Sequence, residues 1–281
     1  MAGKLYLVPT PIGNLGDISP RAAKTLASVD FIAAEDTRVT VKLLNHLGLK
    51  KPMAIYHRHN CETAGPAILD RLLAGEDCAL VTDAGTPAIS DPGEDLVALC
   101  AQNGVPVESI PGPCALTVAL SASGLPTARF VFEGFLPTNK KNRRARLEAL
   151  AGEERTLVLY EAPHRLRDTL ADLADALGGD RPVSVCRELT KLHEEIWRGA
   201  LGEAKARWAA QEPRGEFVLV IAGAPQGEEV PPDEAAALRS VDELRAQGLS
   251  LKEAAARAAA SFGIKKRRLY ELALGKGETT D

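Results

Sequence analysis

Five short apolar runs, Leu5–Val8, Phe31–Ala34, Met53–Tyr56, Ala79–Val81 and Pro106–Ile110, punctuate the first 110 residues. Amphipathic segments separate them. Short, largely apolar runs of this kind suit strands, and strands alternating with helices predict a mainly parallel sheet with helices covering both sides. Ser19-Pro20 supplies an N-cap and a first-turn residue for a helix to about Val29. Thr37–Leu47 reads as a second helix, closed by Gly48.

A second α/β series begins near Phe130. Its strands are expected at Arg129–Phe132, Thr156–Tyr160, Val183–Arg187, Glu195–Arg198 and Glu216–Ile221, with helices near Arg143–Ala151, Leu166–Leu177 and Gly202–Ala210. The Gly124-Leu-Pro126 break divides the series, giving domains over 1–125 and 126–224. Ala224–Pro232 reads as a polar, Pro-bearing linker. A helical domain follows over 233–281, with helices at Asp233–Gln247, Ser250–Ser261 and Lys265–Leu274.

The chain has 281 residues, enough for about two full cores. Its five cysteines are scattered, which fits reduced thiols in a cytoplasmic protein and gives no metal-ligand spacing. No signal peptide opens it, and no apolar run reaches the roughly 18 residues of a membrane span. A cytosolic protein with no membrane partner is expected.

Four strand ends carry the chemistry: Leu7–Asn14, Thr82–Gly93, Ile110–Ala115 and Tyr160–Arg165. Each bears Pro or Gly, and ligands of an open α/β sheet bind beyond the carboxyl ends of its strands. The first loop lacks Gly-x-Gly-x-x-Gly, the chain has no Gly-x-x-x-x-Gly-Lys-Ser/Thr, and Pro9 and Pro11 remove N–H donors. A pyrophosphate ligand is therefore disfavoured, although the helix start after Pro113 can hold one carboxylate. The residues alone give an α/β enzyme with a cofactor site made largely of main chain, and leave the cofactor open.

Seven motifs occur in order: Leu5–Ile18, Ala34–Arg38, Thr82–Gly93, Pro111-Gly-Pro113, Phe132–Pro137, Tyr160–Arg165 and Gly215–Val220. Together they resemble the bacterial 16S ribosomal RNA cytidine 2′-O-ribose methyltransferases of the tetrapyrrole-methylase superfamily, over essentially the whole chain. The resemblance implies two α/β domains of the tetrapyrrole-methylase type with a C-terminal helical appendage, S-adenosyl-L-methionine as cofactor, and a homodimer. It implies the 16S rRNA of the 30S ribosomal subunit as partner. It places Pro11, Ala84, Gly85, Thr86, Ile89, Cys114, Ala115, Tyr160, Glu161 and Leu189 around the cofactor. Asp83 is expected to hold its loop rather than touch the reaction.

Asp36 and Arg38, at the end of the second strand, are the expected catalytic pair, against the plainer reading of Asp36 as a helix cap. His57, Asn60, His164, Arg165 and Lys191 stand at other strand ends as further candidates, and no general base is singled out. Two cationic runs stand out in a chain of net charge −4. Lys140, Lys141, Arg143 and Arg144 form one, and Lys265, Lys266, Arg267 and Arg268 the other; both are expected to meet RNA phosphates. A small-molecule tetrapyrrole methylase and a non-catalytic RNA-binding factor are the alternatives. The cationic runs and helical tail weigh against the first, and the well-formed cofactor loops against the second.

Overall fold

The expected strands all form, and they sort into two five-stranded sheets. The computed structural model describes residues 1–225 and 233–275. Residues 226–232 of the expected linker and the segment after 275 lie outside the described residues. The chain divides into two compact units, Met1–Ala224 and Pro225–Asp281.

The first sheet holds β1 (Leu5–Leu7), β2 (Phe31–Ala34), β3 (Met53–Ile55), β4 (Cys78–Val81) and β5 (Val107–Ser109) in the order β3-β2-β4-β1-β5, all parallel. Alternation along each strand feeds two cores. Leu5, Leu7, Phe31, Ala33, Cys78 and Leu80 pack under α3 (Cys61–Leu73) and α4 (Glu94–Gln102). Val8, Ile32, Ala34, Ala79 and Val81 pack under α1 (Pro20–Ser28) and α2 (Thr37–His46). The Ser19 hydroxyl caps α1 by accepting from the Ala22 N–H at 3.0 Å.

The second sheet holds β6 (Phe130–Phe135), β7 (Thr156–Glu161), β8 (Pro182–Arg187), β9 (Glu195–Ala200) and β10 (Phe217–Ile221) in the order β6-β7-β10-β8-β9. Only β6 and β7 pair in parallel. The other pairings are antiparallel, as befits β8 and β9, whose connection carries no crossover helix. Its outer face packs under α6 (Lys140–Leu150), α7 (Leu166–Leu177) and α8 (Leu201–Ala209), with Trp208 fully buried. Its inner face, through Val158, Cys186, Val218 and Val220, packs on α5 (Ala115–Ala122) and on Ile12. A helix that follows the first sheet in sequence therefore belongs to the core of the second.

The second unit has α9 (Glu234–Ala246), α10 (Leu251–Phe262) and α11 (Lys266–Gly275). Ala237, Ala254, Ala255, Ala258 and Ala259 form much of its core, with Val241, Ile264 and Leu269. Small side chains let these short helices approach closely. Ser250 and Glu253 cap α10 reciprocally, a capping box.

Candidate functional site

Parallel register brings the carboxyl ends of β1, β2, β4 and β5 to one edge, and the loops there are bonded to each other. Thr10 and Gly85 exchange two backbone hydrogen bonds, of 2.9 and 3.0 Å, joining the loops after β1 and β4. The Thr86 hydroxyl donates to the Pro113 carbonyl at 2.8 Å, joining the loop after β4 to that before α5. Gly85 sits at φ +86°, where a side chain is strained. Ala88 and Ser90, at φ 67° and 66°, hold the left-handed region without being glycine. Such residues store roughly 1–3 kcal/mol each and persist where surrounding bonds fix the backbone.

These loops and the inner face of the second sheet enclose a cleft of about 560 Å³. Of the residues expected around a cofactor, Ala84, Gly85, Thr86, Ile89, Cys114, Ala115, Tyr160, Glu161 and Leu189 line it. Pro11 does not: it lines a separate hollow of about 210 Å³ with Thr10, Gly13, Val39 and Thr40, while its neighbour Ile12 faces the cleft. Asp83 borders both.

The N-terminus of α5 opens on the cleft, and Cys114 at its N-cap makes no side-chain bond to the first turn. The Leu116 N–H donates to the Tyr160 hydroxyl at 3.0 Å, and burial raises the Tyr160 phenol above its ordinary range. Glu161 is buried; its carboxylate accepts from the Ala162 N–H at 2.8 Å and from the Thr169 hydroxyl. Arg143 in turn donates to Thr169 at 2.8 Å and pairs with Asp172 at 2.6 Å. The expectation that Arg143 contacts RNA is corrected here. Its side chain is 11% exposed and committed to this network.

Four acids besides Glu161 line the same cleft: Glu35, Asp83, Asp91 and Glu216. Burial raises the first three. The charge of Glu35 adds to the effect on Asp91, whose carboxyl is pushed up to about 6. Asp83 lines the cleft, and its backbone N–H donates to the Glu35 carboxylate at 3.4 Å.

Asp36 and Arg38 do not line the cleft. The Asp36 carboxylate caps α2 by accepting from the Arg38 N–H at 2.8 Å, and pairs with the Arg38 guanidinium at 2.6 Å. Those bonds hold its carboxyl down at about 2. Asn60 braces its own turn, accepting from the His57 N–H at 2.8 Å and donating to the Ile55 carbonyl at 3.0 Å. His164 lines the cleft, and Arg165 donates to the Leu136 carbonyl at 2.7 Å. Lys191 pairs with Glu188 at 2.8 Å and Glu216 at 3.0 Å.

Lys140, Lys141 and Arg144 lie exposed on α6, with Arg144 paired to Glu148 at 2.8 Å. In the second unit Lys265, Lys266, Arg267 and Arg268 are exposed, the last two paired with Glu271 at 2.9 Å and Glu234 at 3.1 Å. Phe135 and Asp91 also line the cleft, although sequence reasoning does not single them out. The signal is present in both cases, because each lies inside one of the ordered motifs.

The sequence pattern of the tetrapyrrole (corrin/porphyrin) methylases matches residues 4–205, and that of an RsmI C-terminal HTH domain matches residues 231–277. Ribosomal RNA small subunit methyltransferase I of Synechocystis sp. is 52% identical, over 97% of this chain and 98% of that protein. The proteins of that name from Pseudomonas aeruginosa and Escherichia coli O157:H7 are 50% and 48% identical, over 97% of this chain and 97% and 95% of theirs. Solved structures show the same fold at lower identity. A cobalt precorrin-4 methyltransferase has a TM-score of 0.59 and 20% identity, covering 78% of this chain and 94% of its own. A uroporphyrin-III C-methyltransferase from Thermus thermophilus, complexed with S-adenosylhomocysteine, has a TM-score of 0.55 and 21% identity, covering 78% and 97%. With whole-length identity near one half and both sequence patterns in place, the chain belongs to the ribosomal RNA small subunit methyltransferase I family, within the tetrapyrrole methylases.

Proposed function

We propose that this protein transfers a methyl group from S-adenosylmethionine to the ribose 2′-hydroxyl of a cytidine in 16S rRNA, on the 30S subunit, in the cytoplasm. One observation carries the reading. The Gly85 loop and the start of α5 converge on one cleft, in a chain half identical over its length to rRNA small subunit methyltransferase I proteins.

The residues present fit the cofactor. Ala84, Gly85 and Ala115 leave room for a nucleoside against bare main chain. The N-terminus of α5, where Ala115 lines the cleft, suits its carboxylate, and Glu35, Asp83 and Asp91 suit its positive charges. The cofactor, when bound, supplies an electrophilic methyl group. The cleft aligns the acceptor oxygen with it, which is where most of the acceleration arises. Asp91 lines the cleft with its carboxyl pushed up to about 6, and is the group we assign to take the hydroxyl proton. Asp36 caps α2 and holds Arg38, whose side chain is 87% exposed and is assigned to orient an acceptor phosphate.

Lys140, Lys141, Arg144 and the cations at 265–268 supply the phosphate contacts, and the active assembly is a homodimer. The family resemblance supports the dimer, and sedimentation of the purified protein reads it directly. The decisive test is incubation with labelled cofactor and 30S particles that lack the modification, followed by nucleoside mapping. Label in a 2′-O-methylcytidine is expected. Protein that binds the cofactor but never labels 30S particles, or that methylates uroporphyrinogen instead, overturns the reading.

A further inference from the structure

Phe135 stands at the mouth of the cleft with half of its surface exposed. A single exposed apolar side chain is ordinary on a protein surface. What distinguishes this one is the backbone device that aims it.

β6 and β7 run in parallel register with Phe132 opposite Val158. The register then shifts, so that Gly134 faces Leu159 and Phe135 faces Tyr160. In an unbroken strand, side chains at 132 and 135 point to opposite faces. The extra residue, Glu133, absorbs the shift. Both rings therefore reach the inner face and meet Tyr160 edge to face, at centroid separations of 5.0 and 5.8 Å. Bulges of this kind re-aim side chains beside active sites.

Gly134 permits the bulge. It sits at φ +61°, and a Cβ there would stand 3.3 Å from Ser90 Oγ in the loop after β4. The Glu133 side chain, sent toward α6, is 5% exposed and accepts from Arg146 at 2.7 and 2.6 Å. The bulge is thus fixed from behind by an ion pair and from the side by an aromatic contact.

We infer that Phe135 is a stacking platform for the nucleobase of the acceptor nucleotide. The inference rests on the RNA methyltransferase reading and names the part of the substrate that this side chain holds. An edge-to-face pair occupies at most one face of the Phe135 ring, and the other is free for a flat partner. Two nucleobase-like groups compete for it: the acceptor base and the cofactor's adenine.

Position favours the acceptor. The deeper walls of the cleft, Glu161, Leu189 and Val218, are nearly buried, whereas Phe135 opens to solvent, from which a base tethered to a polymer must enter. Five residues further along the chain, Lys140 and then Lys141 lie exposed in the first turn of α6. That separation spans at most about 18 Å. A strand with its phosphates on those cations can present a neighbouring base to the ring.

The test compares wild type, F135L and F135W as full-length proteins on 30S particles lacking the modification. Methyl transfer is read as kcat/KM, and cofactor affinity by calorimetry. Leucine keeps the apolar bulk and removes the π face. F135L is expected to lose about tenfold or more in kcat/KM, with cofactor Kd within about twofold of wild type, while F135W stays near wild type. Unchanged cofactor affinity also shows that the variant is folded.

A parallel loss of cofactor affinity assigns the ring to adenine and overturns the inference. So does wild-type kcat/KM in F135L. Wild-type protein that leaves 30S particles unmethylated fails at an earlier point: it sinks the underlying reading, and this inference with it.

Discussion

Asp91 and Arg143 differ in how their charges are compensated, and the difference sets what each does. The Asp91 carboxyl, pushed up to about 6 by burial and by Glu35, binds a proton in the folded protein that the unfolded chain releases above about pH 4. Stability contributed by that group therefore falls as pH rises from about 4 to 6. Activity is expected to run the other way. The rate should climb as Asp91 ionises and level off above its midpoint. Asp91→Asn should erase that inflection and lower kcat by about 10²–10⁴-fold, read from a pH–rate profile. Retention of the inflection in the variant takes Asp91 out of the chemistry. Arg143 has the reverse balance, because Thr169 and Asp172 both receive its donors. Its partner Asp172 is 44% exposed, so Arg143→Met should cost ~1–3 kcal/mol in chemical denaturation, between the surface and fully buried limits.

At the scale of elements, much of the fold is legible because each strand carries its own period. The runs of β1, β2 and β4 are apolar on both faces and suit buried strands, while β3 and β5 form the more exposed edges of the sheet. The start of α6 is less legible. The sequence pattern points to Arg143, yet Asn139 caps the helix and Lys140 opens it. A polar first turn of Lys, Lys and Asn gives no hydrophobic signal, so only the cap marks it. The bulge at Glu133 is hidden for a similar reason: Phe132 and Phe135 look out of phase until the inserted residue is counted. The site divides along the same line. Main-chain positions such as Gly85 and Ala115 are readable from loop composition and family motifs. Asp36 is not, because a cap and a catalytic acid present the same residue at a strand end.

On the whole molecule, the cationic runs bear on a net-acidic chain, and their effect is electrostatic and additive over phosphates. Lys140→Glu with Lys141→Glu should weaken 30S binding and flatten the slope of log K against log salt. The expected change is about 0.7–0.9 for each phosphate that is no longer neutralised. Filter binding across a salt series measures it, and an unaltered slope removes α6 from the RNA interface. Arg143 is the wrong residue for this test, since reversing its charge strikes the Thr169–Glu161 network instead.

The seating of α5 also governs how the cleft can open. Ala119 and Leu120 belong to the core on the inner face of the second sheet, while the first turn of the same helix lines the cleft. Swinging the two sheets apart would peel a helix from its core and expose Val158, Val218 and Val220. Large hinge opening is therefore costly. The cleft behaves as a fixed socket, its walls tied together through α5, the paired Thr10–Gly85 bonds and the Thr86–Pro113 bond.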